Sequence, residues 1–539
     1  MPANRRMSEQ RFLNDRRAEW AIALSCTCSF LALVPFLPRE TLAALFEDDA
    51  FYYYQVARNI VAGLGPTFDG VHPTNGFHPL WLLVLMPIFA LLPGDLSPLR
   101  VVAGLETVLV ALALVALFRT LRERLTIIEA MLIPMLLLAL PGSRSILASG
   151  LESALLLWAL ILAWKHYLHV AGSRLPGAGR SLALGGWCAV AFLARPEAGL
   201  LVPAVLLLAG HRLSRSVASF SAFCLPPAIT AIAYISWNRL MFGTWLPISG
   251  MTKSYQAASA SPAIWLGRLI DFPWLGREII LRARGAPSLL LLPVPDRVAG
   301  IVLLGLFIGA LWRWRTALAA SVRRARVALL LVVSGGMVVA DLLVVGYLPV
   351  WYQGPILLST ACLLGMLGMR SRRLACGMLL VGLCCVLGRV PATAWMLRDA
   401  TRYQAASRIR AAEWIRKNTR PSARIGSWNA GMLGYFSHRT VINLDGLAND
   451  ISYYRWVTRG RRLEEYLIDE RVSYLADQAC GATPDPRPYL RRTGEESMVA
   501  RLALIAVFDR GHLEDPCPGY AVWSFDGGSG IRVDRIEDR

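Results

Sequence analysis

Residues 101–124 read VVAGLETVLVALALVALFRTLRER, and this stretch decides the fold class. A mostly apolar run of roughly 20 residues is long enough to cross a bilayer as a helix. The run covers 98–118 and ends in Arg119, Arg122 and Arg124. Arginine directly after such a run is typical of the cytoplasmic end of a membrane span. The stretch therefore predicts a transmembrane helix.

Similar runs recur as far as residue 397, and we predict an α-helical polytopic membrane protein. The eleven predicted spans are 20–38, 98–118, 126–141, 152–168, 181–194, 197–210, 217–237, 297–313, 327–346, 353–369 and 374–397. The arginine clusters between them and the tail 1–19 are then cytoplasmic, and the C-terminus is external. No cleavage pattern follows the first run, so it is predicted to be an anchor. A further run at 79–93 dips into the membrane or lies along it; a twelfth span is the alternative.

The composition supports this class of protein and excludes several others. The chain of 539 residues is 55% hydrophobic and 17% charged, with a mean hydropathy of +0.46, which excludes disordered and ordinary soluble proteins. Its net charge of +19 permits either nucleic-acid binding or a topology signal. Residues 401–539 hold 21 Lys and Arg against 18 Asp and Glu, so most of the excess lies among the spans. No basic stripe is interleaved with aromatics, so we predict no nucleic-acid partner.

The C-terminal part has a different pattern from the spans. Residues 401–539 contain no long apolar run, and 398–539 is predicted to be a small external, periplasmic α/β domain. Helical spacing marks Tyr403–Thr419 and Arg462–Glu470. Short strand-like pieces lie at Ala423–Ser427, Thr440–Leu444, Val472–Ala476, Leu502–Phe508 and Tyr520–Phe525. We thus predict three parts: a tail at 1–19, a membrane domain at 20–397 with a first external loop at 39–97, and the α/β domain at 398–539.

The first external loop carries the strongest functional signal. It reads EDDAFYYYQVARNI at 47–60, GLGPTFDG at 63–70 and PTNGFHPLW at 73–81. Three carboxylates that directly follow a span lie at the membrane surface. Ionised groups are costly to place there and are usually functional. Asp48 or Asp49 could also cap a helix over 50–62, and the two interpretations are compatible. Arg58 falls on the opposite helical face from Asp49, where it either reaches a phosphate or is solvated.

The order of these motifs resembles the first loop of the GT-C superfamily of polytopic glycosyltransferases. It is most similar to bacterial membrane proteins distantly related to arabinofuranosyl- and mannosyltransferases. The resemblance implies a GT-C-like membrane domain, a polyprenyl-phosphate sugar donor, and a glycan, lipid or protein acceptor. It also implies that acidic residues of the first loop act as catalytic base or metal contact. The protein would then lie in the bacterial inner membrane, with the site on the external face.

Candidate site residues follow from these motifs. Ser149-Gly150-Leu151-Glu152 matches a second acidic site of that superfamily, so Asp48, Asp49 and Glu152 are the catalytic candidates. The candidate phosphate-binding cations are Arg58, Arg195 in the Ala194–Glu197 hairpin, and Lys253, one of three lysines. The candidate substrate contacts are His72, Asn75, His78 and Tyr352, although loop histidines are often merely exposed and Tyr352 also fits an interfacial aromatic belt.

Two further predictions concern metals and cysteines. The reaction needs either no cofactor or a divalent cation, Mg or Mn, with Asp49 and Glu152 as its ligands. Cys480 and Cys517 lie in the external domain, and in an oxidising compartment we predict that they form a disulfide. The other eight cysteines lie in apolar runs, where a thiol is a small buried hydrophobe.

The function predicted on these grounds is an inverting hexosyl- or pentosyltransferase. It would move a sugar from a polyprenyl phosphate to an acceptor hydroxyl. A transporter of a lipid-linked or small anionic substrate is the alternative, but its charges would lie inside the spans. Glu106, Glu129 and Asp341 are the main charges found there. A membrane-anchored sensor or scaffold is a third interpretation, and it leaves the acidic loop unexplained.

Overall fold

The computed structural model describes most of the chain in two compact units. The described residues are 13–25, 34–140, 149–258, 326–345, 354–396, 400–479, 501–508, 519–525 and 534–535, with single positions such as Tyr352 and Met498 between them. The helical unit comprises Met1–Leu33, Gly104–Ile232 and Gln256–Val390. The loop-and-sheet unit comprises Val34–Ala103, Ala233–Tyr255 and Pro391–Arg539. Each unit is described separately below.

Apolar helices form most of the described chain up to residue 396. They are Pro79–Leu91, Ser97–Arg122, Ile127–Ala139, Ser153–Gly172, Ala178–Ala194, Leu201–Leu213, Val217–Phe242, Ala328–Val345, Gly354–Gly368 and Arg372–Met396. Ser97–Arg122, Ser153–Gly172 and Val217–Phe242 are, within the described residues, long and apolar enough to cross a membrane. The predicted runs from 98–118 to 217–237 and from 327–346 to 374–397 are therefore confirmed as helices. The first run is helical as far as residue 25, and 297–313 lies outside the described residues.

Local chemistry explains where one of these helices begins. Thr126 is the N-cap of Ile127–Ala139, and its hydroxyl accepts a hydrogen bond from the Glu129 backbone N–H. The Glu129 carboxylate in turn accepts one from the Thr126 backbone N–H, at 3.0 Å. This capping box satisfies two donors that the helix itself cannot pair. Glu129 is thus a helix-start residue, and it gives no support to a charged transport path.

The loop-and-sheet unit contains the first loop and the predicted α/β domain. Its helices are Arg39–Ala43, Asp48–Val61, Ile248–Ala258, Ala400–Asn418, Gly431–Ser437, Ile451–Thr458 and Leu463–Asp469. Its strands are β1 (Arg424–Ser427), β2 (Thr440–Asn443), β3 (Tyr474–Ala479), β4 (Leu502–Phe508), β5 (Gly519–Phe525) and β6 (Asp534–Arg535). The predicted strands and the helices near 403–419 and 462–470 are confirmed, with ends shifted by a few residues.

The six strands form one mixed sheet in the order β2-β1-β3-β5-β4-β6. β1 pairs in parallel with both β2 and β3, whereas β5 is antiparallel to both β3 and β4. Helices between β1, β2 and β3 supply the crossovers that parallel strands need. The core of this domain is formed by Ile442, Leu444, Tyr453, Leu463, Tyr466, Leu467, Val472, Leu475, Met498, Ala521 and Trp523. The parallel strands β1 and β2 end at the same edge, which is where the site residues lie.

The Asp48–Val61 helix, called here the acidic-pair helix, packs on the short Gly431–Ser437 helix. Phe51 lies 5.4 Å from Tyr435 and 5.6 Å from Phe436 between ring centroids. Edge-to-face aromatic pairs of this kind add to the stabilisation from buried area. A Cβ on Gly434 would lie 2.6 Å from the Phe68 ring, so only glycine fits there. The N-terminal end of the acidic-pair helix is thereby held against the end of β1.

Candidate active site

The acidic pair begins the helix, and its two carboxylates have different surroundings. The N-cap is Glu47, whose side chain makes no capping bond, so neither aspartate caps the helix from a preceding position. Asp48 Oδ1 lies 3.1 Å from Arg408 Nη1. The same carboxylate accepts hydrogen bonds from the backbone N–H of Gly431 at 3.1 Å and of Met432 at 2.9 Å. Both oxygens of Asp48 are therefore engaged by the protein.

Asp49 faces the lysine that the sequence singled out. Its Oδ2 lies 4.0 Å from Lys253 Nζ, and the two side chains are 22% and 10% exposed. Lys253 follows Thr252, whose hydroxyl donates to the Gly446 carbonyl at 3.2 Å. A carboxylate and an ammonium group thus lie together at the edge of the loop-and-sheet unit. The structure thus brings together one of the predicted catalytic acids and one of the predicted phosphate-binding cations.

Asp445 is a third carboxyl group near the pair. It follows β2, and its Oδ2 lies 3.4 Å from the Tyr52 hydroxyl. Its Oδ1 accepts from the Leu447 backbone N–H at 2.9 Å. Burial raises the pKa of Asp445 to about 8, and the charges of Asp49 and Asp48 add to that rise, while the Leu447 hydrogen bond opposes it. The site therefore holds one carboxyl group that is largely neutral at pH 7.

The Thr-Asn-Gly turn braces this arrangement. The Asn75 amide donates to Asn238 Oδ1 and Thr244 Oγ1, both at 3.0 Å, and its carbonyl oxygen accepts from the Ile248 backbone N–H at 2.9 Å. Asn75 is 1% exposed. A Cβ on Gly76 would lie 1.9 Å from the Leu447 carbonyl oxygen, so the turn approaches the loop after β2 closely. These contacts tie the turn to the chain on either side of Lys253.

His72 belongs to a local ion network. Its Nδ1 lies 2.6 Å from Asp69 Oδ2, and its Nε2 lies 3.2 Å from Glu470 Oε1. Glu470 is also paired with Arg424 at 2.7 Å. Burial opposes the charged form of His72, but the Asp69 hydrogen bond and the charges of Asp69 and Glu470 outweigh it and raise its pKa to about 9. His72 is therefore a cation at neutral pH.

His78 and Arg58 also contact protein groups. The His78 backbone N–H and its Nδ1 each lie 3.1 Å from the Tyr53 hydroxyl. Arg58 Nη2 pairs with Asp95 Oδ1 at 3.1 Å, and its guanidinium lies 3.9 Å from the centroid of the Tyr435 ring. As predicted, Arg58 does not pair with Asp49; its carboxylate partner is Asp95.

A second group of charges lies in the helical unit, and we call it the Arg195 cluster. Arg195 Nη2 lies 3.3 Å from Asp341 Oδ1, and its Nε lies 3.4 Å from Glu197 Oε2. The guanidinium carbon is 3.5 Å from the centroid of the Tyr352 ring. The side chains of Arg195 and Asp341 are 1% and 0% exposed. The structure thus joins two predicted residues, Arg195 and Tyr352, in one buried assembly.

Glu152 lies in the same unit and is 2% exposed. The neighbouring Gly150 backbone N–H donates to both carboxylate oxygens of Glu106, at 3.0 and 3.1 Å. The Ser149–Glu152 segment therefore does bring a second carboxylate beside Glu152, although it comes from within a predicted span. Asp49 and Glu152 belong to different compact units.

The predicted metal ligands lie within the described residues, whereas the predicted disulfide does not. Among the described residues, no three His, Cys, Asp or Glu side chains come together as a possible metal-ligand set. Asp49 and Glu152 are not part of such a set among these residues, and a divalent cation held by them stays a prediction. Cys480 and Cys517 lie outside the described residues, so their disulfide stays a prediction.

Two residues that contact Asp48 were not among the candidate site residues. Arg408 pairs with Asp48, but it is one of many arginines in a chain with 56 Lys and Arg, and its pattern marks only a helix. Gly431 is fixed by a close approach, because its Cβ would lie 2.1 Å from the Asp48 carbonyl oxygen. Both residues owe their positions to contacts between distant parts of the chain.

Solved structures share this architecture. The crystal structure of the apo oligosaccharyltransferase of Archaeoglobus fulgidus matches with a TM-score of 0.52 at 13% identity, over 86% of this chain and 69% of that chain. The same protein in complex with Zn and sulfate gives 0.51 at 15% identity, over 86% and 68%. ArnT from Cupriavidus metallidurans, bound to undecaprenyl phosphate, gives 0.50 at 14% identity, over 95% and 98%.

Sequence comparisons are less informative. Residues 396–522 match a domain of unknown function, DUF8728, and none of the curated proteins matches the chain. The structural neighbours are GT-C glycosyltransferases, and likeness at this identity establishes the fold. The chain is therefore a GT-C-like membrane protein with a C-terminal α/β domain, and the fold implied by the first loop is confirmed.

Proposed function

We propose that this protein is an inverting glycosyltransferase that moves a sugar from a polyprenyl-phosphate donor to an acceptor hydroxyl. The observation that carries the proposal is the Asp49–Lys253 pair, at 4.0 Å and partly exposed, in a GT-C-like fold. Transfer of this kind requires a base for the acceptor proton and a cation for the leaving phosphate. The undecaprenyl phosphate bound to ArnT, a structural neighbour, supports a donor of this class.

The pair can perform the reaction in one displacement. The acceptor oxygen forms a bond to the anomeric carbon as the bond from that carbon to the phosphate oxygen breaks. The acceptor proton moves to the Asp49 carboxylate, because a free hydroxyl is a weak nucleophile. The leaving polyprenyl phosphate keeps the bonding electrons, and the Lys253 ammonium group stabilises its additional negative charge. Attack opposite the leaving group inverts the anomeric centre.

The remaining candidates take supporting roles in the proposal. Arg58 is paired with Asp95, so Lys253 is the cation that the proposal places at the phosphate. Glu152, Arg195 and Tyr352 lie in the helical unit, and their predicted roles stay predictions. His72, Asn75 and His78, which lie in the same unit as the Asp49–Lys253 pair, brace the substrate region. We place the protein in the bacterial inner membrane with its N-terminus cytoplasmic and both the site and residues 398–539 periplasmic. This orientation rests on the arginine clusters between the spans.

The decisive experiment compares Asp49→Asn with the matched variant Asp95→Asn in purified full-length protein. The probe is release of undecaprenyl phosphate from a panel of undecaprenyl-phosphate hexoses and pentoses. Removal of a general base lowers kcat about 10²–10⁴-fold, and we expect this for Asp49→Asn. Asp95 is an aspartate of the same unit that pairs with Arg58, so Asp95→Asn should keep transfer. Full activity in Asp49→Asn at an unchanged melting temperature would refute the assignment.

Transport remains the competing function, and no described contact favours it. Glu106 accepts backbone hydrogen bonds, Glu129 closes a capping box, and Asp341 pairs with Arg195. These three charges thus have structural partners, whereas a transport path needs charges that meet a substrate. Uptake of the lipid-linked sugar into proteoliposomes without release of undecaprenyl phosphate would favour the transporter.

A further inference from the structure

Five consecutive backbone N–H groups after β1 donate to side chains from elsewhere in the chain. Those of Trp428 and Asn429 donate to Asp477 Oδ2 on β3, at 2.7 and 3.1 Å. That of Ala430 donates to the Tyr52 hydroxyl at 3.3 Å. Those of residues 431 and 432 donate to the two Asp48 oxygens, as described above. Buried N–H groups need such partners, and here the acidic-pair helix supplies three of the five.

The Asp48 carboxylate is engaged by protein groups on both oxygens. Arg408 neutralises the carboxylate, and the side chains of Asp48 and Arg408 are 13% and 11% exposed. The backbone of residue 431 approaches so closely that a Cβ would lie 3.0 Å from the Asp48 carboxylate carbon. A general base must present an oxygen lone pair to the acceptor hydroxyl at hydrogen-bond distance. Both Asp48 oxygens already serve the backbone, so Asp48 is poorly suited to that role.

The same domain also holds the other side of the Asp49–Lys253 pair. The Thr252 hydroxyl donates to the Gly446 carbonyl at 3.2 Å, directly before Lys253. Gly446 has φ +81°, and its Cβ would lie 3.4 Å from Thr252 Cγ2. The Asn443 amide donates to the Tyr52 hydroxyl at 3.0 Å, one turn after the acidic pair. Residues 428–446 therefore contact the chain next to both members of the pair.

We propose that Asp48 is a positioning residue rather than the base. It docks the acidic-pair helix onto residues 428–432, and the docking sets Asp49 against Lys253. The C-terminal domain is then an integral part of the transfer site, because its backbone orients groups supplied by the first loop and by the Ile248–Ala258 helix. This inference rests on the proposed transfer reaction only for its activity measurement.

The first test measures hydrogen exchange in the purified full-length protein and needs no substrate. In Asp48→Ala we expect the amides of residues 431 and 432 to exchange at least about tenfold faster, because their acceptors are lost. Asp49→Ala is the matched control, since it removes the adjacent carboxylate and should leave these amides protected. Unchanged protection at 431 and 432 in Asp48→Ala would overturn the docking role.

The second test separates positioning from chemistry. Asn at position 48 keeps one acceptor oxygen, so Asp48→Asn should lower kcat by about tenfold, less than Asp49→Asn, and should keep the acidic limb of the pH–rate profile. Loss of that limb in Asp48→Asn alone would make Asp48 the base and overturn the inference. If Asp49→Asn is fully active while exchange at 431 and 432 still depends on Asp48, the proposed base fails and the docking role stands.

Discussion

The loop-and-sheet unit and the helical unit each contain a cluster of opposite charges, and the two clusters are built differently. Asp49 and Lys253 lie 4.0 Å apart, at the limit of an ion pair, and both side chains reach solvent. Arg195 lies between Asp341 and Glu197 and is stacked on Tyr352. Its side chain is almost completely buried. The same chemical groups are thus 4.0 Å apart and more exposed in one unit, and in closer contact and enclosed in the other.

The difference indicates which charges can act on a substrate. A buried guanidinium that carries two carboxylate neighbours and a stacked ring is needed to neutralise those carboxylates, because leaving one unpaired is strongly destabilising. An acid that is 22% exposed beside an ammonium group is open to a proton from an acceptor, and the ammonium group can stabilise a phosphate next to it. The comparison therefore supports the proposed chemistry of Asp49 and Lys253 and predicts a largely structural role for the Arg195 cluster.

The largest effect is expected from a substitution that breaks the buried Arg195 cluster. Arg195→Met removes the guanidinium beside Asp341, and removing one partner of a buried pair costs about 3–5 kcal/mol. The melting temperature of the purified protein should fall markedly. The double variant Arg195→Met with Asp341→Leu should recover most of the loss, because no buried carboxylate is left unpaired.

The opposite result would contradict this division of roles. If Arg195→Met melts like the wild type but loses transfer and donor binding, Arg195 contacts the donor phosphate, as its place in the external hairpin also predicts. The double variant would then stay inactive, whereas a structural role predicts that activity returns with stability.

The next largest effect is expected from a substitution in the Asp49–Lys253 pair. Lys253→Met removes the ammonium group but keeps a side chain of similar length. Loss of one group that stabilises developing charge lowers kcat about 10²–10³-fold, and we expect this without a matching loss of stability. Lys253→Arg should restore part of the rate, because the charge is kept. Arg58→Met is the control, since Arg58 is already paired with Asp95 and stacked on Tyr435.

Much of the fold was predictable because its signals are local. The apolar runs and the short strands each follow from the residues within them, so the helices in 97–242 and 328–396 and strands β1 to β5 match their predicted places. Asp49 and Lys253 were also found from local chemistry, as an acid after a span and a rare lysine among hydroxyls. Their contact itself is a finding of the structure.

The division of labour within the acidic pair was not predictable. Asp48 and Asp49 are adjacent and identical in type, and only their distant contacts distinguish them: Arg408 and residues 431 and 432 for Asp48, and Lys253 for Asp49. Asn75 illustrates the same limit. Its amide contacts Asn238 and Thr244, so a predicted substrate residue has the contacts of a brace.

The smallest expected effect concerns His72, which lies in the same unit as Asp49 but has two close carboxylates, as Arg195 does. Its pKa is raised to about 9 from an ordinary value of 6.5. A raised pKa in the folded state means that the stabilisation is complete below about pH 6.5 and is lost as the pH rises through 9. We expect a loss of roughly 2–3 kcal/mol in the free energy of unfolding across that window.

His72→Gln should abolish this pH dependence, while the exposed His211→Gln should keep it. If His72→Gln instead changes kcat and leaves the pH dependence of stability intact, close pairing does not separate structural from catalytic charges in this protein.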